Sequence, residues 1–181
     1  MTWLILGLVL WSAGHFLKPA LPDLRARMGG AGKGVAALLI VGGLVLMVLG
    51  YRAAPVDQVY DTPGWARHLN NLLMLVAVYL FAVSGAKSRL HRHLRHPMLT
   101  GALVWSVAHL IVNGDAASIV LFGGIGLWAL AEMVVINRRA PDWTPPPPRP
   151  VAVEIRALVI TLVVYGVIAA LHVWIGPSPF S

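Results

Sequence analysis

The chain has no cysteine, and charged side chains are scarce. The lack of cysteine excludes disulfides, thiolate metal sites, a cysteine nucleophile and a covalently attached c-type haem. Any metal would have to rest on histidine, methionine or carboxylate. Charged residues make up 12% of the sequence, about half their share in an ordinary soluble domain. Only seven residues are acidic, and no pair of them stands where two carboxylates could share acid–base work. A phosphate-binding glycine loop, a nucleophile elbow and a zincin motif are also missing.

What fills the sequence instead is apolar. Hydrophobic residues account for 58% of 181 positions, and the mean hydropathy is +0.76. These values describe an all-α, polytopic membrane protein, with the bilayer as its first partner. No soluble stretch is long enough for a second domain, so residues 1–181 read as one unit. The net charge of +7 does not point to nucleic acid, because the basic residues sit in a few short loops instead of along one face.

About 20 apolar residues cross a hydrocarbon core. Six runs qualify: Thr2–Leu17, Gly34–Tyr51, Ala66–Val83, Pro97–Val112, Ala116–Ile136 and Ala157–Ile175. The first is not a signal peptide, since Lys18, Arg25, Arg27 and Lys33 all follow it and no basic segment precedes it. Positive charge marks the inner side. The loops Lys18–Lys33, Lys87–Arg95 and Arg138–Arg156 are basic, whereas Arg52–Trp65, Asn113–Asp115 and the tail Gly176–Ser181 are not. This alternation predicts six helices with the N-terminus and C-terminus both outside, in a bacterial inner (plasma) membrane. Pro145 to Pro148 lie within a cytoplasmic linker, Pro141–Pro150, that a helix cannot traverse. A spacer before the last helix is the simplest reading of it.

One pentapeptide occurs twice. Trp11-Ser12-Ala13-Gly14-His15 lies in the first run, and Trp105-Ser106-Val107-Ala108-His109 lies in the fourth. Each carries an imidazole to membrane depth, where an ionisable group needs a partner or a task. Trp stands four residues before His, on the same helical face. The two helices cross in opposite senses, so the repeat predicts an inverted three-plus-three arrangement. Neutral imidazole is a common metal ligand and an axial ligand of haem iron. His15 and His109 are therefore the candidate ligands of a haem b, with Trp11 and Trp105 flanking it. The competing reading is two polar residues hydrogen-bonded between helices, with Trp as filler.

Other residues rank lower. His68, beside Asn70 and Asn71, and His172, close to Trp174, are alternative ligands near outer helix ends, where interfacial solvation also explains them. His91, His93 and His96 alternate with Arg89, Arg92 and Arg95, whose charge would repel a cation, so this tract reads as a basic loop near anionic lipid. Asp115, after Asn113-Gly114, reads as a helix cap. Glu132 reads as a partner of Arg138 and Arg139.

Residues Arg95-His96-Pro97-Met98-Leu99, Gly101, Trp105, Ala108-His109 and Asn113-Gly114-Asp115 resemble the signature of the NnrU family. Trp11 to His15, Tyr60-Asp61-Thr62-Pro63 and Arg67-His68-Leu69 fit it as well, so the resemblance covers nearly the whole chain. Bacterial members are named for association with nitrite and nitric-oxide reduction (denitrification). A plant and cyanobacterial relative is 15-cis-ζ-carotene isomerase, a membrane b-haem enzyme. Its two ligand positions match His15 and His109. The isomerase carries a cysteine three residues before the second histidine as an alternative iron ligand, where this chain has Ser106, a poor one.

The resemblance thus implies a b-haem protein that either serves nitrogen-oxide metabolism or acts as a redox-dependent cis–trans isomerase of an apolar polyene. Its ligand would be an apolar small molecule or a diatomic gas, and no residue identifies a protein partner. A cofactor-free transporter or assembly factor is the reading from a different class.

Overall fold

The computed structural model describes every residue except Lys87, Pro177 and Ser181. Lys87 belongs to the second basic loop and the other two to the tail, so those parts of the charge pattern lie outside the described residues. Helices form at α1 (Thr2–Phe16), α2 (Pro22–Arg27), α3 (Ala31–Arg52), α4 (Ala66–Ala86), α5 (Pro97–Val112), α6 (Ala116–Arg139) and α7 (Val151–Ile175), with one 3₁₀ turn at Arg89–Arg92. Among the described residues no strand forms, and a single antiparallel bridge joins Gln58 to Asp115.

Each of the six apolar runs is helical. α3, α4, α6 and α7 are long and apolar enough to cross a membrane, whereas α1 and α5 are shorter, at 15 and 16 residues. At about 1.5 Å per residue the two short helices reach roughly 23 Å, less than a hydrocarbon core of about 30 Å. The last helix begins at Val151, six residues before the apolar run suggests, directly on Pro150. Proline there loses no helical hydrogen bond and holds the entry fixed. Residues 140–150 form no regular secondary structure, as the proline run requires.

The chain divides into two compact units, one of residues 1–61 with 113–141, the other of residues 62–112 with 142–181. The packed groups are therefore α1, α3 and α6 on one hand and α4, α5 and α7 on the other. Neither is a run of three consecutive apolar helices.

In the first unit α1 and α3 run antiparallel with glycines at the seam. A methyl group on Gly7 would stand 2.6 Å from the Met47 nitrogen, and one on Gly43 would stand 2.6 Å from the Trp11 nitrogen. Gly14 meets Ile40, and Gly50 meets Leu4. Small residues let the two backbones touch, which is how helices gain packing energy where lipid supplies no hydrophobic drive between them. α6 also packs on α1, where Gly124 receives Leu8, and touches α3.

Loops fix the two ends of this unit. Val59 N–H and Tyr60 N–H donate to the Gly114 carbonyl at 2.8 and 3.2 Å, and Ala116 N–H donates to the Asp57 carbonyl at 2.8 Å. Gly114 leaves no room for a side chain, because a methyl there would collide with the Tyr60 carbonyl. Asp115 caps α6 by accepting from Ser118 N–H at 2.9 Å and from its hydroxyl at 2.6 Å. Tyr60 donates its hydroxyl to the Asn113 carbonyl at 2.9 Å. Burial, and then the Asp115 carboxylate, hold that phenol above its ordinary range. At the opposite end Arg139 donates to the Ala20 carbonyl at 3.1 Å.

In the second unit α4 carries both neighbours, α5 and α7. Gly101 of α5 fits against Ala77, Leu80 and Phe81. Ala157 and Thr161 are the buried points of α7, and the Thr161 hydroxyl is satisfied by the Ala157 carbonyl at 2.7 Å. The Glu154 carboxylate accepts from Arg89 N–H at 2.6 Å, and Arg89 Nε donates to the Arg149 carbonyl at 3.1 Å. These bonds tie the basic turn to the start of α7. The tail is held by Asn71 Nδ2, which donates to the Pro179 carbonyl at 3.0 Å.

Candidate functional site

The two pentapeptides adopt the same local structure in separate units. In α1, His15 Nδ1 lies 2.9 Å from the Trp11 carbonyl, and the rings of the pair stand 4.4 Å apart at 40°. In α5, His109 Nδ1 lies 3.0 Å from the Trp105 carbonyl, and the rings stand 4.8 Å apart at 42°. A carbonyl can only accept, so Nδ1 donates in both rings, and in the neutral imidazole Nε2 is the acceptor. This is the arrangement that orients a histidine for metal binding, with the second ring nitrogen anchored to backbone. The donor chemistry of these histidines would suit a haem iron.

The match extends beyond the pentapeptide. The residue before each histidine, Gly14 or Ala108, is buried, and the residue two before it, Ala13 or Val107, is exposed. Eight residues before each histidine stands a buried glycine, Gly7 or Gly101, which brings the motif helix against its neighbour. That spacing is present in the sequence, and its meaning emerges only once the partner helices are known.

The surroundings of the two modules differ. Around His15, Trp128 of α6 closes in at 4.6 Å and 61°, and also meets Trp11 at 5.4 Å and 79°. The imidazole is held among two indoles. Trp128 had no assigned part in the sequence reading, because nothing local links it to a residue more than a hundred positions earlier. One turn beyond Trp128, Glu132 is 9% exposed. Glu132 Oε2 and the indole nitrogens of Trp11 and Trp128 have no hydrogen-bond partner among the described residues.

Around His109 there is space instead. A cavity of about 60 Å³ is lined by His109, Asn70, Asn71, Met74, Tyr165 and His172, with other residues. His172 therefore joins His109, and its own Nδ1 donates to the Ile168 carbonyl at 2.8 Å. His68 is exposed at the start of α4 and is not among the lining residues. Ser106 is 1% exposed and its hydroxyl has no partner among the described residues. No three His, Cys, Asp or Glu side chains cluster as a metal-ligand set among the described residues. His15 belongs to the first unit and His109 to the second.

Neither a curated protein nor a solved structure matches the sequence. The family comparison is positive and spans almost the full length: the family model described as NnrU protein matches residues 3–179, and the chain belongs to the NnrU family.

Proposed function

We propose that this chain is an inner-membrane haem b protein in which His15 and His109 offer their Nε2 atoms to the iron. The observation that carries this reading is the repetition of one module to within half an ångström and a few degrees, with the same tautomer fixed by the same backbone bond. A polar residue at membrane depth is costly to keep without a role, and here the costly feature occurs twice in matched form. Bound there, haem would supply redox change and ligand exchange at iron. The protein's own part is to fix the tautomer through Trp11 and Trp105, and to shield the His15 ring with Trp128.

Six crossings with both termini outside fit the loop contacts. The connections that charge assigns to the outer side, 53–65 and 113–115, are hydrogen-bonded to each other. Those assigned to the inner side meet through Arg139 and Ala20 in one unit and through Arg89, Arg149 and Glu154 in the other. α1 lies against α3 and α6, two helices long and apolar enough to cross a membrane.

Of the two haem chemistries, handling of electrons or a diatomic gas in nitrogen-oxide metabolism suits the chain better than polyene isomerisation. Ser106 offers a neutral hydroxyl where the isomerase relative has a thiol, so a switch of ligand at that position lacks its second donor. The test is the oxidised and reduced absorption spectrum of the detergent-purified protein, with a pyridine haemochrome assay. One haem b per chain is expected, with a Soret band that His15→Ala and His109→Ala each remove or shift. Spectra unchanged in both variants would overturn the ligand assignment. Conversion of a poly-cis carotene by the reduced protein would restore the isomerase.

A further inference from the structure

The basic connection between α1 and α3 carries a helix of its own. Pro22 opens α2, since its fixed φ suits a first helical position. Gly29 follows its end with φ +55°, a left-handed turn that glycine adopts without strain. Arg25 then pins this turn. Its Nη1 donates to the Gly29 carbonyl at 2.8 Å, and its side chain lies over the start of α3, where a methyl on Gly32 would stand 2.5 Å from that nitrogen. α2 is thus held against the first turn of α3, a helix long and apolar enough to cross a membrane.

The surface of α2 has two characters. With the segment helical, Leu21, Leu24 and Met28 recur at spacings of three and four and share one side. No residue of α2 is buried, and Leu21 and Leu24 are 51% and 49% exposed. At about 3.6 residues per turn, Arg25 falls on one edge of this stripe and Arg27 on the other, whereas Ala26 falls opposite. Lys18 and Lys33, beyond the two ends, are exposed, as is Arg27. From Lys18 to Lys33 there are four cations and one carboxylate, Asp23.

A lone exposed leucine needs no explanation. An apolar stripe edged by cations, at the end of a membrane-length helix, is the pattern of a segment lying in the boundary between lipid and water. Its apolar side enters the acyl region while the cations stay among the headgroups. Anionic phospholipid satisfies both features at once, and α3 already brings a bilayer surface to this level.

We propose that α2 is a surface anchor, in which Leu21, Leu24 and Met28 insert beneath the headgroups of anionic phospholipid and Lys18, Arg27 and Lys33 contact the phosphates. The inference goes beyond the haem reading and rests only on α3 as a crossing.

The chain has no cysteine, so one introduced thiol carries a nitroxide label alone. Full-length Leu24→Cys and Ala26→Cys are labelled in nanodiscs of phosphatidylcholine with and without phosphatidylglycerol. Collision with oxygen, relative to a water-soluble nickel chelate, reports contact with lipid. With phosphatidylglycerol present, that ratio should be about threefold higher at position 24 than at 26. Omitting the anionic lipid, or adding Lys18→Gln, Arg27→Gln and Lys33→Gln, should bring position 24 down towards 26, since each cation near an anionic surface adds to its attraction. Equal ratios at 24 and 26, or a ratio at 24 indifferent to lipid charge, overturns the proposal. So does a label at 24 shielded from both reagents, which would mark a protein partner instead. A label at Leu38→Cys, 74% exposed on α3, tests the crossing separately: a lipid ratio is expected there, and an aqueous one overturns the crossing and the anchor together.

Discussion

The indole of Trp128 stands 4.6 Å from the imidazole of His15, on a helix that begins a hundred residues later in the chain. It makes one module an enclosed site, whereas its counterpart at His109 borders a cavity. Trp128 is 8% exposed, and truncating a buried aromatic of this kind costs about 3–5 kcal/mol. Trp128→Ala should therefore lower the thermal unfolding midpoint in detergent well below that of wild type. Trp128→Phe should recover much of the loss.

Gly42 and Gly43 are neighbours with opposite surroundings. A methyl on Gly42 meets nothing, whereas one on Gly43 would stand 2.6 Å from the Trp11 nitrogen and pushes α1 away from α3. Gly42→Ala should stabilise α3 by about 0.5–1 kcal/mol through reduced backbone entropy. Gly43→Ala should destabilise by about 1–3 kcal/mol through overpacking. Thermal unfolding of the two variants side by side checks the register of the α1–α3 seam.

Ser106 has a buried hydroxyl without a partner. Leaving such a group unmade costs about 1–3 kcal/mol, so removing it relieves the penalty. Ser106→Ala should be neutral or stabilising by about 1 kcal/mol in the haem-free protein. A clear loss of stability would mean that the hydroxyl has a partner the fold depends on.

Asp115 holds the first turn of α6 through two bonds to Ser118. Loss of a side-chain cap costs about 1 kcal/mol, and Asp115→Ala should lower stability by at least that amount, with Asp115→Asn in between. Chemical or thermal unfolding in detergent distinguishes the three.

Tyr60 supplies a pH dependence. Burial, and then Asp115, raise its folded-state pKa above the unfolded value, so the protonated phenol favours the folded chain. Its contribution is whole below the unfolded tyrosine range near 10 and is lost as the pH rises through the higher folded value. Ionisation also removes the donor of the bond to Asn113. The tyrosinate absorbance lost in Tyr60→Phe should therefore titrate above free tyrosine, and Asp115→Asn should move it partway back.

Much of this could be read in the residues. Helices appear at all six apolar runs, because unbroken hydrophobic stretches leave the backbone no better way to satisfy itself in lipid. The doubled Trp-to-His motif, the Asp115 cap and the interruption at Pro145 to Pro148 are likewise local signals. Choice of partner was not legible. Hydropathy marks a span without saying which span it touches, so the grouping of α6 with α1 and α3, and of α7 with α4, depends on contacts far apart in sequence. Trp128 against His15 and His172 beside His109 are contacts of that kind. The short helix Pro22–Arg27 and the turn Arg89–Arg92 also escaped notice, since charged segments of four to six residues show no usable periodicity.

The brevity of α1 and α5 has a physical consequence for the bilayer. In the proposed six-crossing arrangement α1 and α5, at roughly 23 Å, would fall several ångströms short of an average hydrocarbon core, whereas the other four helices are long enough to cross it. Lipid would then thin beside the two histidine-bearing helices or water would reach further down them, each at a fraction of a kcal/mol per ångström. Acyl-chain length thereby becomes a control on the protein: short-chain lipid should favour the folded chain and draw both imidazoles nearer the aqueous phase, and long-chain lipid should strain the same two helices first.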